Sequence, residues 1–281
     1  MRTRALGATG TDVAVVGQGT WMLEESDGAR AQRSLFAGLD AGATHVDTAE
    51  YYGDGRVETL LGEMLGPRRD EVFLASKVVP DRADRAGTIA ACERSLRRLR
   101  TEGLDLYLLH WIGPHPFEET FAGFEDLRSQ GKIRAWGVSN FDEHALARAV
   151  ALAGPGRIAC NQVLYHLKER AIEHAVLPAC RELGVALVGY SPFGQDDFPA
   201  PGGPGAQVLA EVADARGATP RQVALAFLTR DEATFTIPKA ARPEHARDNA
   251  GAGDLVLTES EIERIDAAFP RGPRTASLPM L

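Results

Sequence analysis

Short apolar runs alternate with amphipathic stretches along most of the chain. The runs are VAVVGQGT (13–20), THVDTA (44–49), VFLASKV (72–78), LDLYLLHW (104–111), AWGVSN (135–140), IACNQVLYH (158–166), ALVGYSP (186–192) and TFTIPKA (234–240). Their length and near-continuous apolar character predict strands covered on both faces, as in a parallel sheet. Between them, ARAQRSLFAGLDAG (29–42) and AIEHAVLPACRELG (171–184) place apolar residues at three- and four-residue spacing, which predicts helices with one buried stripe. TPRQVALAFLTRD opens with Thr219 as N-cap and Pro220 at the first helical position, and TESEIERIDAAF carries a capping box in Thr258 and Glu261. Ahead of the first run, TRALGATGTDVAV (3–15) reads as a small hairpin with Gly7 and Gly10 in its turn.

Eight strand–helix repeats with no long linker predict an α/β fold: a single (β/α)8 TIM barrel over residues 1–281, preceded by a short N-terminal β-hairpin. An open dinucleotide-binding sheet would want G-x-G-x-x-G after its first strand. The nearest stretch, GQGTWM, lacks the third glycine and opens no helix, and no P-loop is present.

Composition narrows the function classes. With 281 residues, 44% of them hydrophobic, the chain has material for a large core. A net charge of −8 removes the general attraction for nucleic acid or an anionic membrane, so neither is expected as a partner. The basic stretch RSLRRLR (94–100) reads as a solvated helix face. Cys92, Cys160 and Cys180 are odd in number and far apart, which predicts free thiols in a reducing compartment and no metal site. With no apolar leader at the N-terminus and no run long enough to span a bilayer, the expectation is a soluble, cytoplasmic monomer. Only four of the 31 basic residues are lysine (Lys77, Lys132, Lys168 and Lys239). Where such a chain keeps lysine, a compact ammonium is the group that arginine cannot replace.

Barrels of this type carry their reactive groups at the C-terminal ends of the strands. Here those ends supply Asp47 with Tyr52 one short loop later, then Lys77, His110 and Trp111, Ser139 and Asn140, Asn161 and Gln162, Tyr190 and Ser191, and Lys239. A free phenol has a pKa of about 10 and is a poor acid at neutral pH. A close ammonium favours the phenolate and lowers that value by roughly 1–3 units. A carboxylate beside the ammonium holds it charged, and a histidine near the same oxygen orients a substrate. Asp, Tyr, Lys and His together therefore suit protonation of a carbonyl oxygen while hydride reaches the carbonyl carbon.

These residues lie in motifs that resemble the aldo-keto reductase family along nearly the whole chain. DTAEYYG, SK at 76–77, LLHW, GKIRAWGVSNF (131–141), NQVLYH (161–166), GYSPFG (189–194) and IPKA (237–240) follow the family's order and spacing. The resemblance implies a catalytic tetrad of Asp47, Tyr52, Lys77 and His110, with Tyr51 one residue too early and assigned to the pocket. It also implies an extended NADPH, with Ser139, Asn140 and Gln162 on the carboxamide and Tyr190 stacked on the ring. Gly19, Thr20, Ser191, Phe193, Lys239, His245 and Asn249 are expected to complete the cofactor site, with Arg242 and Arg247 close by but at no matching position of the family. Trp21, Tyr51 and Trp111, with Phe193 beside them, would wall an aromatic substrate pocket left open by the short WIGPHP loop and FPRGPRTASLPML tail. In IPKAARPEHARDN the chain keeps Lys239, Asp248 and Asn249 but has Ala240 where the family has serine and His245 where it has arginine. NADPH is thus expected, with NADH use left open. The expected reaction is reduction of aldehydes and ketones to alcohols. Two other readings stay open: a Schiff-base aldolase using Lys77 or Lys239, and a non-catalytic NADPH-binding regulatory protein.

Overall fold

Parallel pairing turns the alternating pattern into a cylinder. The computed structural model describes residues 1–195, 197–275 and 277–281. Two strands, β1 (Thr3–Ala5) and β2 (Asp12–Ala14), pair antiparallel around a turn at Gly7–Thr9, the expected hairpin. Eight more form one parallel sheet: β3 (Gln18–Gly19), β4 (His45–Asp47), β5 (Phe73–Val78), β6 (Leu104–Leu109), β7 (Ile133–Ser139), β8 (Ile158–Leu164), β9 (Ala186–Tyr190) and β10 (Thr234–Thr236). They neighbour one another in chain order, and the bridges Val16–Thr236 and Gly19–Lys239 join the last strand to the first. Backbone hydrogen bonds from Gly17 to Thr236 (2.8 Å) and from Gly19 to Pro238 (3.1 Å) complete the closure.

One expected strand divides. VAVVGQGT was read as a single run, but Asp12–Ala14 belongs to the hairpin and Gln18–Gly19 to the barrel. Both pieces are buried, so an apolar run cannot reveal where the chain leaves one sheet for another. The helix expected over 171–184 begins at Val176 instead, after a short turn at Ala171–Glu173. Pro178 explains the late start, because a proline without N–H is tolerated in the first turn and disrupts a helix interior.

The helices start where side chains can accept their unpaired N–H groups. Asp27, Asp84 and Asp142 cap helices Gly28–Asp40, Arg85–Leu99 and Glu143–Ala153, and the boxes at Thr219 and Thr258 form as expected. Pro204–Arg216 and Glu259–Ala268 are additional to the eightfold repeat and are tied to each other by Arg216–Glu261 and Arg264–Glu211.

The barrel interior is packed by Val15, Val16, Ala75, Leu106, Leu108, Val188 and Phe235. Leu6 and Val13 of the hairpin belong to the same cluster, so the hairpin plugs the N-terminal mouth. Its turn presses so closely that a Cβ on Gly7 (φ +52) would lie 2.2 Å from the Ala159 carbonyl oxygen. Burial of each large apolar side chain contributes about 1.5–3 kcal/mol. With one mouth filled this way, the opposite rim is left to carry a site.

Candidate active site

Three strand ends converge on Lys77. Its side chain is fully buried, as is that of Asp47, and the ammonium donates to Asp47 Oδ1 at 2.6 Å. Its other two donors go to the Thr48 carbonyl (2.8 Å) and to the Tyr52 phenol oxygen (3.3 Å). An ammonium has three N–H bonds, so none is left over. Because the Tyr52 oxygen accepts from Lys77, its own hydrogen is free to point elsewhere, and Tyr52 lines the rim cavity. The second Asp47 oxygen accepts from Gln162 Nε2 at 2.8 Å, and the Thr20 hydroxyl donates to the Asp47 carbonyl at 2.8 Å.

The electrostatics of this buried cluster oppose one another. Burial works against the Lys77 charge, yet Asp47 and Tyr52 together hold its pKa above the ordinary 10.5. Burial raises the Tyr52 pKa above 10, and Lys77 offsets only part of that rise. The ammonium was expected to bring the phenol below its ordinary value. Desolvation outweighs it here, so Tyr52 is held as a protonated donor. Burial, reinforced by the Lys77 charge, keeps His110 well below 6.5 and therefore neutral. The His110 ring stands edge-on to Tyr52, with centroids 5.9 Å apart, and its Nδ1 is buried without a partner among the described residues.

Beside this cluster lies a shelf of amides. Ser139 donates to the Gln162 carbonyl (2.9 Å), and Asn140 Nδ2 donates to the His110 carbonyl (3.1 Å) and to Ser139 (3.2 Å). The Tyr190 hydroxyl donates to Asn140 Oδ1 at 3.1 Å. Asn140 reaches this position with φ 61, the left-handed conformation that asparagine tolerates better than most residues. One cavity of about 380 Å³ brings together Tyr52, His110, Ser139, Asn140, Gln162 and Tyr190 with Trp21, Tyr51 and Trp111. Tyr51 stands edge-on to Trp111 (5.7 Å) and His110 (6.1 Å).

Other expected residues lie apart from this cavity. Gly19 sits in the barrel seam, where a Cβ would lie 2.6 Å from the Ile237 carbonyl oxygen. Ser191 takes a left-handed φ of 49 just past β9. Phe193 does not join the cavity wall; it stands edge-on to Phe198, with the Arg221 guanidinium 4.6 Å above its ring. Lys239, Arg242 and His245 are exposed around the start of helix Pro243–Gly251, while Asn249 is buried. Asp248 accepts from the Thr219 hydroxyl at 3.0 Å, a tie between helices. Next to it opens a groove of about 910 Å³ that includes Phe198, Thr219, Arg221 and Asp248.

Two cavity residues escaped sequence reasoning. The tail was expected to leave the pocket open, but Met280 and Leu281 line it together with Tyr190. The one signal was an apolar LPML after a polar stretch.

The donor set fits an extended nicotinamide dinucleotide: paired amide and hydroxyl groups for a carboxamide, an aromatic face at Tyr190, and exposed cations at a helix N-terminus for phosphate. Fold and site define an α/β-barrel oxidoreductase acting on carbonyl groups. The model of the Aldo/keto reductase family matches residues 15–269, and the chain belongs to that family. It is 42% identical over 268 residues to the methylglyoxal reductase YeaE of Escherichia coli, covering 95% of this chain and 94% of that protein. A glyoxal reductase of Bacillus subtilis is 31% identical, with 92% and 90% covered. Among solved structures, an aldo-keto reductase from Klebsiella pneumoniae in complex with NADPH superposes with a TM-score of 0.90 at 40% identity, over 100% of both chains.

The buried histidines carry an acid-sensitivity prediction. His45, two residues before Asp47, is fully buried with both ring nitrogens unpartnered among the described residues, and burial brings its pKa down to about 4. The unfolded chain binds a proton at this residue below about 6.5 and the folded chain does not. The contribution of neutral His45 is thus fully present above pH 6.5 and is lost as pH falls toward 4, by about 3 kcal/mol in all. His45→Leu should flatten the melting-temperature profile between pH 6.5 and 4. An unchanged slope in calorimetry would place the acid sensitivity elsewhere.

Proposed function

We propose that this protein reduces small, uncharged aldehydes and 1,2-dicarbonyls to alcohols, with Tyr52 as proton donor and NADPH as the preferred cofactor. The observation that carries the reading is the saturated Lys77: its three N–H bonds are committed to Asp47, Thr48 and the Tyr52 oxygen. That arrangement leaves the phenol hydrogen for a carbonyl oxygen and places a fixed positive charge beside the phenolate that forms. Bound NADPH supplies hydride to the carbonyl carbon. Tyr52 gives its proton to the carbonyl oxygen, Lys77 stabilises the phenolate, and solvent returns the proton. Neutral His110 can orient the same oxygen through a hydrogen bond. The amide shelf and Tyr190 would hold the nicotinamide, and Lys239, Arg242 and His245 would meet the adenosine phosphate. Both sites would lie on the C-terminal rim of one barrel unit.

The substrate class follows from the cavity wall. Trp21, Tyr51, Trp111, Met280 and Leu281 are bulky, and neither arginine nor lysine lines the cavity among the described residues. A carboxylate-bearing substrate would lose its hydration there without gaining a cation. The names of the methylglyoxal and glyoxal reductases support the same class. An aldolase role is disfavoured, because a Schiff base needs a neutral amine, Lys77 is held charged with every donor engaged, and Lys239 is exposed and lies apart from the cavity. An intact proton-donor cluster favours an enzyme over a purely regulatory binder. We also infer a cytoplasmic monomer; buried free thiols at Cys92, Cys160 and Cys180 suit a reducing compartment.

Tyr52→Phe is expected to lower turnover of methylglyoxal by about 10²–10⁴-fold, the usual worth of a general acid. NADPH affinity should stay near wild type, and glyoxylate should be a far poorer substrate than methylglyoxal for the unaltered enzyme. Steady-state kinetics would disprove the assignment if the phenylalanine variant kept normal turnover.

His245 stands at the start of a helix beside Lys239 and Arg242, so His245→Arg adds a permanent donor at the phosphate end. One charged hydrogen bond is worth roughly 1.5–3 kcal/mol, about ten- to a hundred-fold in affinity. The ratio of NADH to NADPH dissociation constants should rise by that factor. No change would assign the phosphate to Arg242 or Arg247.

A further inference from the structure

We propose that Glu50 is a positioning residue for proton transfer, acting through one hydrogen bond that fastens the Tyr52 turn to the Lys77 strand. The proposal rests on the reading of Tyr52 as the acid. Glu50 lies two residues before Tyr52, and its side chain is almost fully buried. Its Oε1 accepts from the Val79 backbone N–H at 3.1 Å, two residues beyond Lys77. Its own N–H donates to the Lys77 carbonyl at 3.4 Å. The turn carrying the phenol and the strand carrying the ammonium are thus clasped twice, at the Lys77 carbonyl and at the Val79 N–H. The Tyr52–Lys77 contact, at 3.3 Å, is the longest of the three made by the ammonium and has the most to lose from a small shift.

The rest of the cluster explains how a carboxylate survives there. Arg82, Arg94 and Arg98 approach Glu50 Oε2 at 3.4, 3.6 and 3.9 Å. Arg98 is shared with Glu58, at 2.6 Å, and Glu58 in turn accepts from the Ser76 hydroxyl at 2.6 Å. RSLRRLR was expected to be a solvated helix face. Instead Arg94 and Arg98 turn inward, with 34% and 25% of their side chains exposed, to neutralise carboxylates behind the site. A Cβ on Gly55 would come within 2.8 Å of the Arg98 guanidinium, so the chain has no side chain there. The arginine contacts to Glu50 are long and come from partly exposed side chains, whereas the contact to Val79 is a hydrogen bond of ordinary length. Charge therefore serves stability, and reach serves catalysis.

Two variants separate these roles. Glu50→Gln keeps an acceptor oxygen at the same reach and discards the charge. Glu50→Asp keeps the charge and falls one methylene short of Val79. Hydride transfer is read in single turnovers with NADPH and methylglyoxal, beside the melting temperature and the NADPH dissociation constant. The glutamine variant should melt earlier but transfer at close to the wild-type rate. The aspartate variant should transfer about 10- to 100-fold more slowly, the scale of a misaligned reacting group, with NADPH affinity unchanged. A wild-type rate in Glu50→Asp overturns the proposal, as does equal slowing in both variants. Tyr52→Phe is run alongside: if it keeps normal turnover, the acid assignment itself fails whatever Glu50 does.

Discussion

A lysine ammonium enclosed in the wall of a barrel is the constraint on which the rest depends. Lys77 and Asp47 are both withdrawn from water, and breaking a buried pair by removing one partner costs about 3–5 kcal/mol. The cluster is tolerable because every donor of the ammonium is used and both Asp47 oxygens are met, by Lys77 and by Gln162. Those partners come from β4, β5 and β8, strands that only a closed sheet brings to one rim. The same contacts that make the charge bearable leave the Tyr52 hydrogen uncommitted beside the cavity. On the proposed reading, stability and chemistry share one set of hydrogen bonds.

The two ends of the cofactor region are built differently. The end proposed for the nicotinamide is a linked network in which Asp47, Gln162, Ser139, Asn140 and Tyr190 hold one another in place. The end proposed for the phosphate consists of exposed side chains at a helix start. On the proposed assignment, reaction geometry belongs to the linked end, and discrimination between NADPH and NADH to the exposed one. The departures at Ala240 and His245 fall at that proposed phosphate end.

Much of the barrel and of the site was legible in the sequence, for a physical reason. Strand ends are local: Asp47, Lys77, His110 and Ser139 each follow an apolar run within a few residues, so periodicity alone places them on a common rim. Helix starts at Thr219 and Thr258 were legible because capping is also local. What was not legible depends on distant partners. The division of VAVVGQGT is decided by which sheet each half meets. Arg94 and Arg98 looked solvated because nothing near them in sequence announces Glu50 and Glu58. Leu281 comes to share a cavity with Tyr190 only after the chain has run around the barrel. The phenol of Tyr52 was expected to be pulled down by Lys77, but the depth of its burial, which reverses the sign, is a tertiary property.

The most direct test of the central claim is turnover of methylglyoxal by Lys77→Arg. Arginine keeps a positive charge but replaces a compact ammonium with a broad planar fork, which cannot reproduce three divergent contacts to Asp47, Thr48 and Tyr52. The account predicts a folded variant that binds NADPH and loses about 10²-fold or more in kcat, approaching the loss of a general acid itself. Turnover close to wild type in a folded Lys77→Arg variant would contradict it, because any nearby cation would then serve.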